Sequence, residues 1–200
     1  VEKGGSVVAM KLDGGAKYSR NQMDNLNDYI RDIGGKGVVQ IKVAENGWNS
    51  SLAKFFTESQ INDLNTALSA KPGELLFFIA DTWESAHELM GNLRVKVAED
   101  EDLIDRSQHH LLWVVDFPLL EYSPEEKRYI ARHHPFTRPM DRDLDLLETA
   151  PEKVRAYAYD LVLDGYEIAG GSLRIYTREL QQKMFKLLNI SPDEAEHKFG

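Results

Sequence analysis

The first hundred residues alternate between two hydrophobic periodicities, one typical of strands and the other typical of helices. Strands are predicted where apolar residues alternate or run together, over Val7–Leu12, Val39–Val43 and Leu75–Ala80. Helices are predicted where apolar residues recur every three or four positions. Those positions are Met23, Leu26, Ile30 and Ile33, then Ile61, Leu64 and Leu68, then Ala86, Leu89, Met90, Leu93 and Val97. The alternating order predicts a two-layer α+β module, a small sheet with its helices on one face.

Local signals place the ends of these elements. Ser19 with Gln22, and Thr57 with Gln60, have the spacing of a capping box at the start of the first two helices. The segment ENGWNSSLAKFF has no sustained period and is predicted to be a loop that Trp48 anchors. The acidic segment 99–110 is predicted to be a linker. We therefore divide the chain into two domains, 1–105 and 106–200.

The second half begins with an apolar run, LLWVVDFPLL, whose first part is predicted to be a central strand. A turn at Ser123–Glu126 lets Tyr129–Arg132 pair back as a hairpin. A helix is predicted over Thr149–Gly165, because Thr149 and Glu152 have capping-box spacing and apolar residues follow at helical intervals. Those apolar residues are Val154, Tyr157, Ala158, Leu161 and Val162. A strand over Glu167–Ile175 and helices that start at Thr177 and Ser191 complete the prediction.

Composition narrows the class of protein. With 200 residues, 42% of them hydrophobic, the chain can bury a core of useful size. It has no run of eighteen apolar residues and no signal-peptide pattern at its start, so we expect a soluble, cytoplasmic protein without membrane contact. The absence of cysteine excludes disulfides and thiolate zinc sites. A net charge of -9 argues against non-specific binding to nucleic acid, although a local basic surface stays possible.

Two acidic residues are candidates for a cation site. Asp160 lies at the edge of the apolar arc of its predicted helix, and Glu167 follows at the start of a strand. Two carboxylates near a sheet suit a hard cation such as Mg²⁺, with phosphate oxygens completing the coordination shell. The same spacing is compatible with two solvated surface acids.

Arg174 is a candidate for binding a carboxylate, because it leaves a strand between the apolar residues Leu173 and Ile175. A structural ion pair is the alternative. Glu167 and Arg174 are seven positions apart, so a regular strand would send their side chains to opposite faces. We predict that a β-bulge at Gly170-Gly171 brings them to one face.

The adjacent histidines His133 and His134 follow a predicted strand and precede Pro135. An imidazole in this position could contact a substrate or carry a proton. Adjacent histidines in a polar loop are also commonly just solvated, because loops run over the surface of a protein.

Motifs in the second half resemble those of the bacterial-type aspartyl-tRNA synthetases. The matching segments are WVVDFPLLE, HHPFTRP and AYDLVLDGYEIAGGSLRIYTRELQQKMF, in the order of the family and with ungapped spacing from His133 to Arg174. In the first half, GGSVVAMKL, KGVVQIKV and LRVKV resemble the GAD domain that is inserted in those enzymes. The resemblance implies a GAD insertion domain in residues 1–105 and part of an antiparallel class II catalytic sheet with helices in residues 106–200.

The resemblance also implies roles for individual residues. Glu167 matches the acid that binds ATP and its magnesium, and Asp160 matches a second metal-associated acid. Arg174 matches the arginine that holds the side-chain carboxylate of L-aspartate, and His133 matches a histidine that contacts the amino acid or its adenylate. The implied reaction activates aspartate with ATP and transfers it to tRNA-Asp, in a homodimeric enzyme.

The chain departs from the family at several points. Ala169 and Asp164 stand where the family usually has glycine and asparagine, changes that we expect to be tolerated. The sequence lacks an OB-fold anticodon domain and the arginine-bearing second class motif, and it stops before the G-x-D-R motif. We therefore expect a fragment whose site is incomplete and which alone neither activates aspartate nor charges tRNA.

Two other functions remain open at this point. GAD domains resemble parts of amidotransferases that act on misacylated tRNA, so the chain could be a tRNA-associated binding module. An acidic α+β scaffold without a site is the third possibility.

Overall fold

The computed structural model describes residues 4–199, which form two compact units that divide between Asp105 and Arg106. The division falls inside the segment that was predicted to be a linker. The predicted outer ends of the two domains, residues 1 and 200, lie outside the described range. The assignment of the units to a GAD domain and a catalytic domain stays a prediction.

Unit 1, residues 4–105, is built on a four-stranded antiparallel sheet with the strand order β1-β4-β2-β3. The strands are β1 (Ser6–Leu12), β2 (Val39–Ala44), β3 (Gly47–Asn49) and β4 (Leu75–Asp81). Three helices accompany the sheet, α1 (Arg20–Asp32), α2 (Glu58–Leu68) and α3 (Trp83–Asp100). Both predicted capping boxes are formed, at Ser19 and at Thr57.

The helices of unit 1 cover both faces of its sheet. Leu75, Phe77 and Ile79 pack against α1 and α3, whereas the intervening Leu76 packs with the apolar residues of α2. The α+β class is confirmed, and the prediction of helices on one face holds only for α1 and α3. The reason is that β4 is apolar at consecutive positions, so each face of this strand needs a cover.

The segment that was predicted to be a loop contains regular structure. Strand β3 pairs Gly47 with Ala44 across a short turn, and a 3₁₀ turn follows at Ala53–Phe55. Trp48 is only 8% exposed, and its Nε1 donates a hydrogen bond to Asn65 Oδ1 at 2.8 Å. Trp48 therefore anchors this segment, as predicted, but from within a strand.

Unit 2, residues 106–199, contains a three-stranded antiparallel sheet, a separate hairpin and two helices. The hairpin that was predicted around Ser123–Glu126 is confirmed. The elements are β5 (Leu111–Val114), β6 (Leu120–Ser123), β7 (Arg128–Ala131), β8 (Ala158–Leu163), β9 (Tyr166–Ser172), α4 (Arg178–Leu187) and α5 (Pro192–Phe199). The sheet order is β5-β8-β9, which makes β8 the central strand.

The predicted helix over Thr149–Gly165 is wrong. A 3₁₀ turn, Pro151–Lys153, is followed by β8. Buried and less buried positions alternate before and into this strand, with Val154, Ala156 and Ala158 buried. This period of two belongs to a strand, and the dipeptide Asp164-Gly165 is a typical hairpin turn.

The prediction of a central strand at the start of unit 2 is also wrong. Strand β5 pairs only with β8 and lies at an edge of the sheet. Its side chains are exposed, including 60% of Trp113, although Trp113 makes an edge-to-face contact with Tyr159. The continuous apolar run of this strand therefore reflects two faces that no described residue of the chain fully covers.

The loop before β8 is held by an ion pair whose carboxylate, that of Asp143, is buried and whose arginine is partly exposed. Asp143 is 4% exposed and accepts three hydrogen bonds from Arg155, from Nε and Nη2 at 2.8 Å each and from the backbone N–H at 3.1 Å. These hydrogen bonds from Arg155 lower the pKa of the Asp143 carboxyl to about 2. The pair thereby fastens the segment before β8 to the end of the loop that follows the two histidines.

We expect Asp143→Ala to lower the melting temperature of the chain by roughly 5 °C or more, because the partly exposed Arg155 guanidinium loses its ion pair and the Arg155 N–H loses its acceptor. Asp145→Ala, at an exposed position of the same 3₁₀ turn, is the control. The stabilisation is complete above the ordinary pKa of 3.8 and disappears as the pH falls through about 2, so the two variants should converge there. Equal melting temperatures at pH 7 would contradict this role.

Within the described part of the chain, no helix combines the length and the apolar character that crossing a bilayer requires.

Candidate functional site

The candidate site lies on one face of the β8-β9 hairpin in unit 2. Asp160 pairs with Gly170, and Val162 pairs with Glu167. Because Asp160 and Val162 are two residues apart on β8, they share a face, and their partners share it too. Asp160, Glu167 and Gly170 therefore lie together on this face.

A bulge in β9 makes this arrangement possible. Leu161 pairs with Ala169 and the next residue, Val162, pairs with Glu167, so Ile168 is the extra residue. The prediction of a broken alternation is confirmed, but its position at Gly170-Gly171 is wrong. Both glycines lie in regular register opposite Asp160 and Tyr159.

Gly170 provides space instead of a bulge. A Cβ at this position would lie 2.6 Å from Asp160 Oδ1 and 3.0 Å from Glu167 Oε1. The two carboxylates therefore converge above the bare Cα of Gly170. Gly171 serves the opposite face, where a Cβ would lie 2.9 Å from the Tyr159 hydroxyl. Each glycine thus admits side chains from the same hairpin on its own face of the sheet.

The pair of carboxylates has the chemistry of a partial cation site. None of the ion pairs and side-chain hydrogen bonds within residues 4–199 involves Asp160 or Glu167. No cluster of three or more potential metal ligands occurs in the same range. Two carboxylates suit Mg²⁺ when substrate phosphates supply further oxygens, because this ion keeps few protein ligands. The donors that are present fit an ion that arrives with a nucleotide.

Arg174 lies on the continuation of β9. Beyond Ser172 the chain pairs with the loop after the histidines, and Arg174 lies opposite Thr137 in an antiparallel β-bridge. The backbone hydrogen bonds of this bridge run from the Arg138 N–H to the Leu173 carbonyl and from the Ile175 N–H to the Phe136 carbonyl, each at 2.9 Å. Leu173 N–H also donates to the Tyr157 carbonyl, so the extended path is unbroken. The alternation that includes Gly170 and Ser172 therefore places Arg174 on the face of the two acids.

The guanidinium of Arg174 is paired with a histidine rather than with an acid. Its Nη1 lies 2.7 Å from His134 Nδ1, and no carboxylate of residues 4–199 forms an ion pair with it. The structural ion pair that was considered for Arg174 is thus not found in the described part of the chain. The remaining donors of the guanidinium are suited to a ligand carboxylate.

The two histidines occupy different environments. His133 is exposed and meets the ring of Phe117 edge-on, with 5.0 Å between the ring centroids. No hydrogen bond in residues 4–199 joins it to Arg174 or to either acid. The sequence analysis named both histidines but did not predict that His134 contacts Arg174. Adjacent histidines give no signal of which one turns toward a partner forty residues away, and only the folded loop decides it.

The two family departures fit their local structure. Asp164 has a φ of 51° in the turn between β8 and β9, a conformation that asparagine and aspartate tolerate well. Its carboxylate accepts from the His110 N–H at 2.7 Å and pairs with His109 Nδ1 at 2.6 Å, which lowers the pKa of Asp164. Ala169 is exposed and paired regularly with Leu161, so a methyl group is accommodated there.

Comparison with known proteins identifies a family over nearly the whole chain. The family of tRNA synthetases class II (D, K and N) matches residues 9–200. An aspartate--tRNA(Asp/Asn) ligase of Bacillus cereus is 50% identical over all of this chain, and one of Bacillus cytotoxicus is 49% identical over the same length. The ligase of the same name from Bacillus thuringiensis is 50% identical. The chain spans 34% of the length of each of these relatives.

Proposed function

Because the chain belongs to the class II tRNA synthetases of the D, K and N group, we propose that it carries part of the active site of an aspartate-tRNA ligase. The proposed reaction joins L-aspartate to ATP as aspartyl-adenylate and then transfers aspartate to tRNA-Asp. One observation carries the proposal. Asp160 and Glu167 converge above Gly170 on the sheet face that also bears Arg174, which has no carboxylate partner within residues 4–199.

Arg174 is the proposed recognition residue for the side chain of aspartate. A guanidinium presents paired N–H donors that match the two oxygens of a carboxylate. Asparagine has an amide in place of this carboxylate, so it brings its own N–H donors toward the guanidinium and carries no charge. A fixed arginine therefore distinguishes the two amino acids by charge and by hydrogen bonding.

Glu167 is the proposed ATP-binding acid, and Asp160 with Glu167 would hold a magnesium ion that is bound together with ATP. The ion would neutralise phosphate charge. The lack of a side chain at Gly170 supports this role, because any larger residue there would collide with the two carboxylates that converge above it. His133, exposed beside Phe117, is the proposed contact to the amino acid or its adenylate.

The partners of the whole enzyme are part of the same proposal. The Bacillus relatives are named as aspartate ligases for tRNA(Asp/Asn). We propose tRNA-Asp as the substrate here, a homodimeric assembly, and a cytoplasmic location. Aminoacylation of purified tRNA-Asp and tRNA-Asn by the full-length polypeptide distinguishes a specific enzyme from one that charges both.

The alternative of an amidotransferase-type binding module is less well supported. The family match runs from residue 9 to residue 200 and therefore includes both units. A module that shared only the GAD-like half would match in unit 1 alone.

The proposal is tested by aspartate-dependent exchange between ATP and pyrophosphate. We expect the 200-residue chain alone to show no exchange above background, because it spans 34% of the relatives' length and its one proposed arginine, Arg174, is assigned to aspartate and leaves none assigned to the phosphates of ATP. The full-length polypeptide that contains this sequence should catalyse exchange with L-aspartate. Exchange by the isolated chain would refute the predicted inactivity, and a full-length polypeptide that is silent with aspartate would refute the function.

A further inference from the structure

The orientation of the Arg174 guanidinium depends on one acceptor in the described structure, His134 Nδ1, which lies 2.7 Å from Nη1. Arginine has several rotatable bonds, so an unrestrained guanidinium would sample many orientations, and ordering it on binding would weaken affinity. Within residues 4–199 no acid performs this task. A neutral acceptor fixes the group without neutralising its charge.

The contacts of His134 determine where its proton lies. Nδ1 faces two donors, the Arg174 guanidinium and the Phe136 N–H at 3.1 Å. Because neither donor can accept a proton, Nδ1 must be the unprotonated nitrogen, and a neutral ring carries its proton on Nε2. The backbone of the loop is itself held beside Arg174, since the Phe136 carbonyl accepts from the Ile175 N–H at 2.9 Å.

The surroundings of His134 favour the neutral form. Its Nε2 is buried and has no hydrogen-bond partner within residues 4–199. Burial lowers the pKa of His134, and the positive charge of Arg174 and the neighbouring His133 lower it further. A protonated ring would place a second positive charge against the guanidinium and would remove the acceptor.

We infer that His134 is a positioning residue, a neutral imidazole whose Nδ1 holds Nη1 of Arg174 so that the rest of the guanidinium faces a ligand carboxylate. This inference rests on the proposed function of Arg174. It assigns a role to the second histidine of the pair that is different from the direct ligand contact proposed for His133. By keeping the guanidinium in one orientation, His134 would favour the binding of a ligand with a carboxylate side chain.

Two substitutions separate positioning from a structural role. In His134→Asn the side-chain oxygen can occupy the place of Nδ1 and accept from Nη1, whereas His134→Leu keeps the bulk and removes the acceptor. His197→Leu is the control, because His197 is exposed on α5 and makes no hydrogen bond within residues 4–199. All are compared in the full-length polypeptide by ATP-pyrophosphate exchange, with thermal unfolding measured in parallel.

We expect His134→Leu to raise the KM for L-aspartate about tenfold with little change in kcat, the effect of one lost hydrogen bond to a charged group. His134→Asn should stay within about threefold of the wild type. An unchanged KM in His134→Leu overturns the inference, as does equal loss of activity and stability in both variants. A wild-type polypeptide without aspartate-dependent exchange would instead refute the proposed function.

A second measurement decides the inference without any activity. In the 200-residue chain, ¹⁵N NMR at pH 7 should show His134 with a proton on Nε2 only, and Arg174 with slowed rotation of its guanidinium. The slow rotation should be lost in His134→Leu and retained in His134→Asn. A proton on Nδ1, or a freely rotating Arg174 in the wild type, would contradict the positioning role.

Discussion

Replacing Arg174 with Gln should lower kcat/KM for L-aspartate in the full-length polypeptide by about a thousandfold or more. The expected size follows from the loss of the charged, bidentate partner that we propose for the carboxylate of aspartate. Arg174→Lys keeps the charge but loses the planar fork of N–H donors, so its kcat/KM for L-aspartate should lie between those of Arg174→Gln and the wild type. Activity is measured by exchange between ATP and pyrophosphate over a range of aspartate concentrations.

The specificity of Arg174→Gln is as informative as its rate. Because glutamine can hydrogen-bond an amide, discrimination between L-aspartate and L-asparagine should fall together with the rate. Arg178→Gln is the matched control, since Arg178 is an exposed arginine at the start of α4 that makes no ion pair within residues 4–199. A full-length Arg174→Gln protein that keeps normal affinity for aspartate would exclude the assigned role.

Replacing Glu167 with Gln should reduce ATP-dependent activation of aspartate by about a hundredfold or more, because one of the two acids that we propose as magnesium ligands is lost. The loss should appear mainly as a higher requirement for Mg²⁺ and ATP, with the KM for aspartate less affected. Activity is measured in a titration of Mg²⁺ at fixed ATP. An unaltered Mg²⁺ dependence would show that Glu167 does not bind the metal nucleotide.

Gly170→Ala tests the same two carboxylates by displacing them with a methyl group instead of removing a charge. The new methyl group would displace the carboxylates of Asp160 and Glu167 without removing their charge, and both side chains can move into solvent. The variant should therefore fold normally and show the same direction of change as Glu167→Gln. Gly171→Ala adds the same group on the opposite face, against Tyr159, and should leave the Mg²⁺ requirement unchanged.

The parts of the fold that were predicted correctly depend on local interactions. The capping boxes at Ser19 and Thr57 join residues three positions apart, and both form as expected. The apolar stripe of α3 is likewise buried at every position that was named for it. Such features are set by nearest neighbours along the chain, so a single sequence contains them.

The helix predicted over Thr149–Gly165 failed because two periodicities fit the same residues. Val154 and Ala158 are buried in either a helix or a strand, and the choice depended on Asp164-Gly165, which makes a tight turn with positive φ at both residues. The dipeptide Asp164-Gly165 by itself predicts a β-hairpin. A hairpin at this position places Asp160 on a strand beside Glu167.

The candidate site was predictable in its residue types but not in its arrangement. Glu167 and Arg174 are an odd number of positions apart, so their side chains share a face only if the strand contains a bulge. Nothing in the sequence placed the extra residue at Ile168 rather than at the glycines. The contact between Arg174 and His134 joins residues forty positions apart through a folded loop. Long-range contacts of this kind depend on tertiary packing, which local patterns do not describe.

A crystal structure of the full-length polypeptide with L-aspartate, Mg²⁺ and a non-hydrolysable ATP analogue would show whether the β8-β9 hairpin forms the aspartate and nucleotide site. We expect the side-chain carboxylate of aspartate to be hydrogen-bonded to Arg174, Nη1 of Arg174 to remain on His134 Nδ1, and a metal ion to lie against Asp160 and Glu167. A nucleotide or an aspartate bound away from this face of the β8-β9 hairpin, with Arg174 turned toward an acid of the protein, would contradict it.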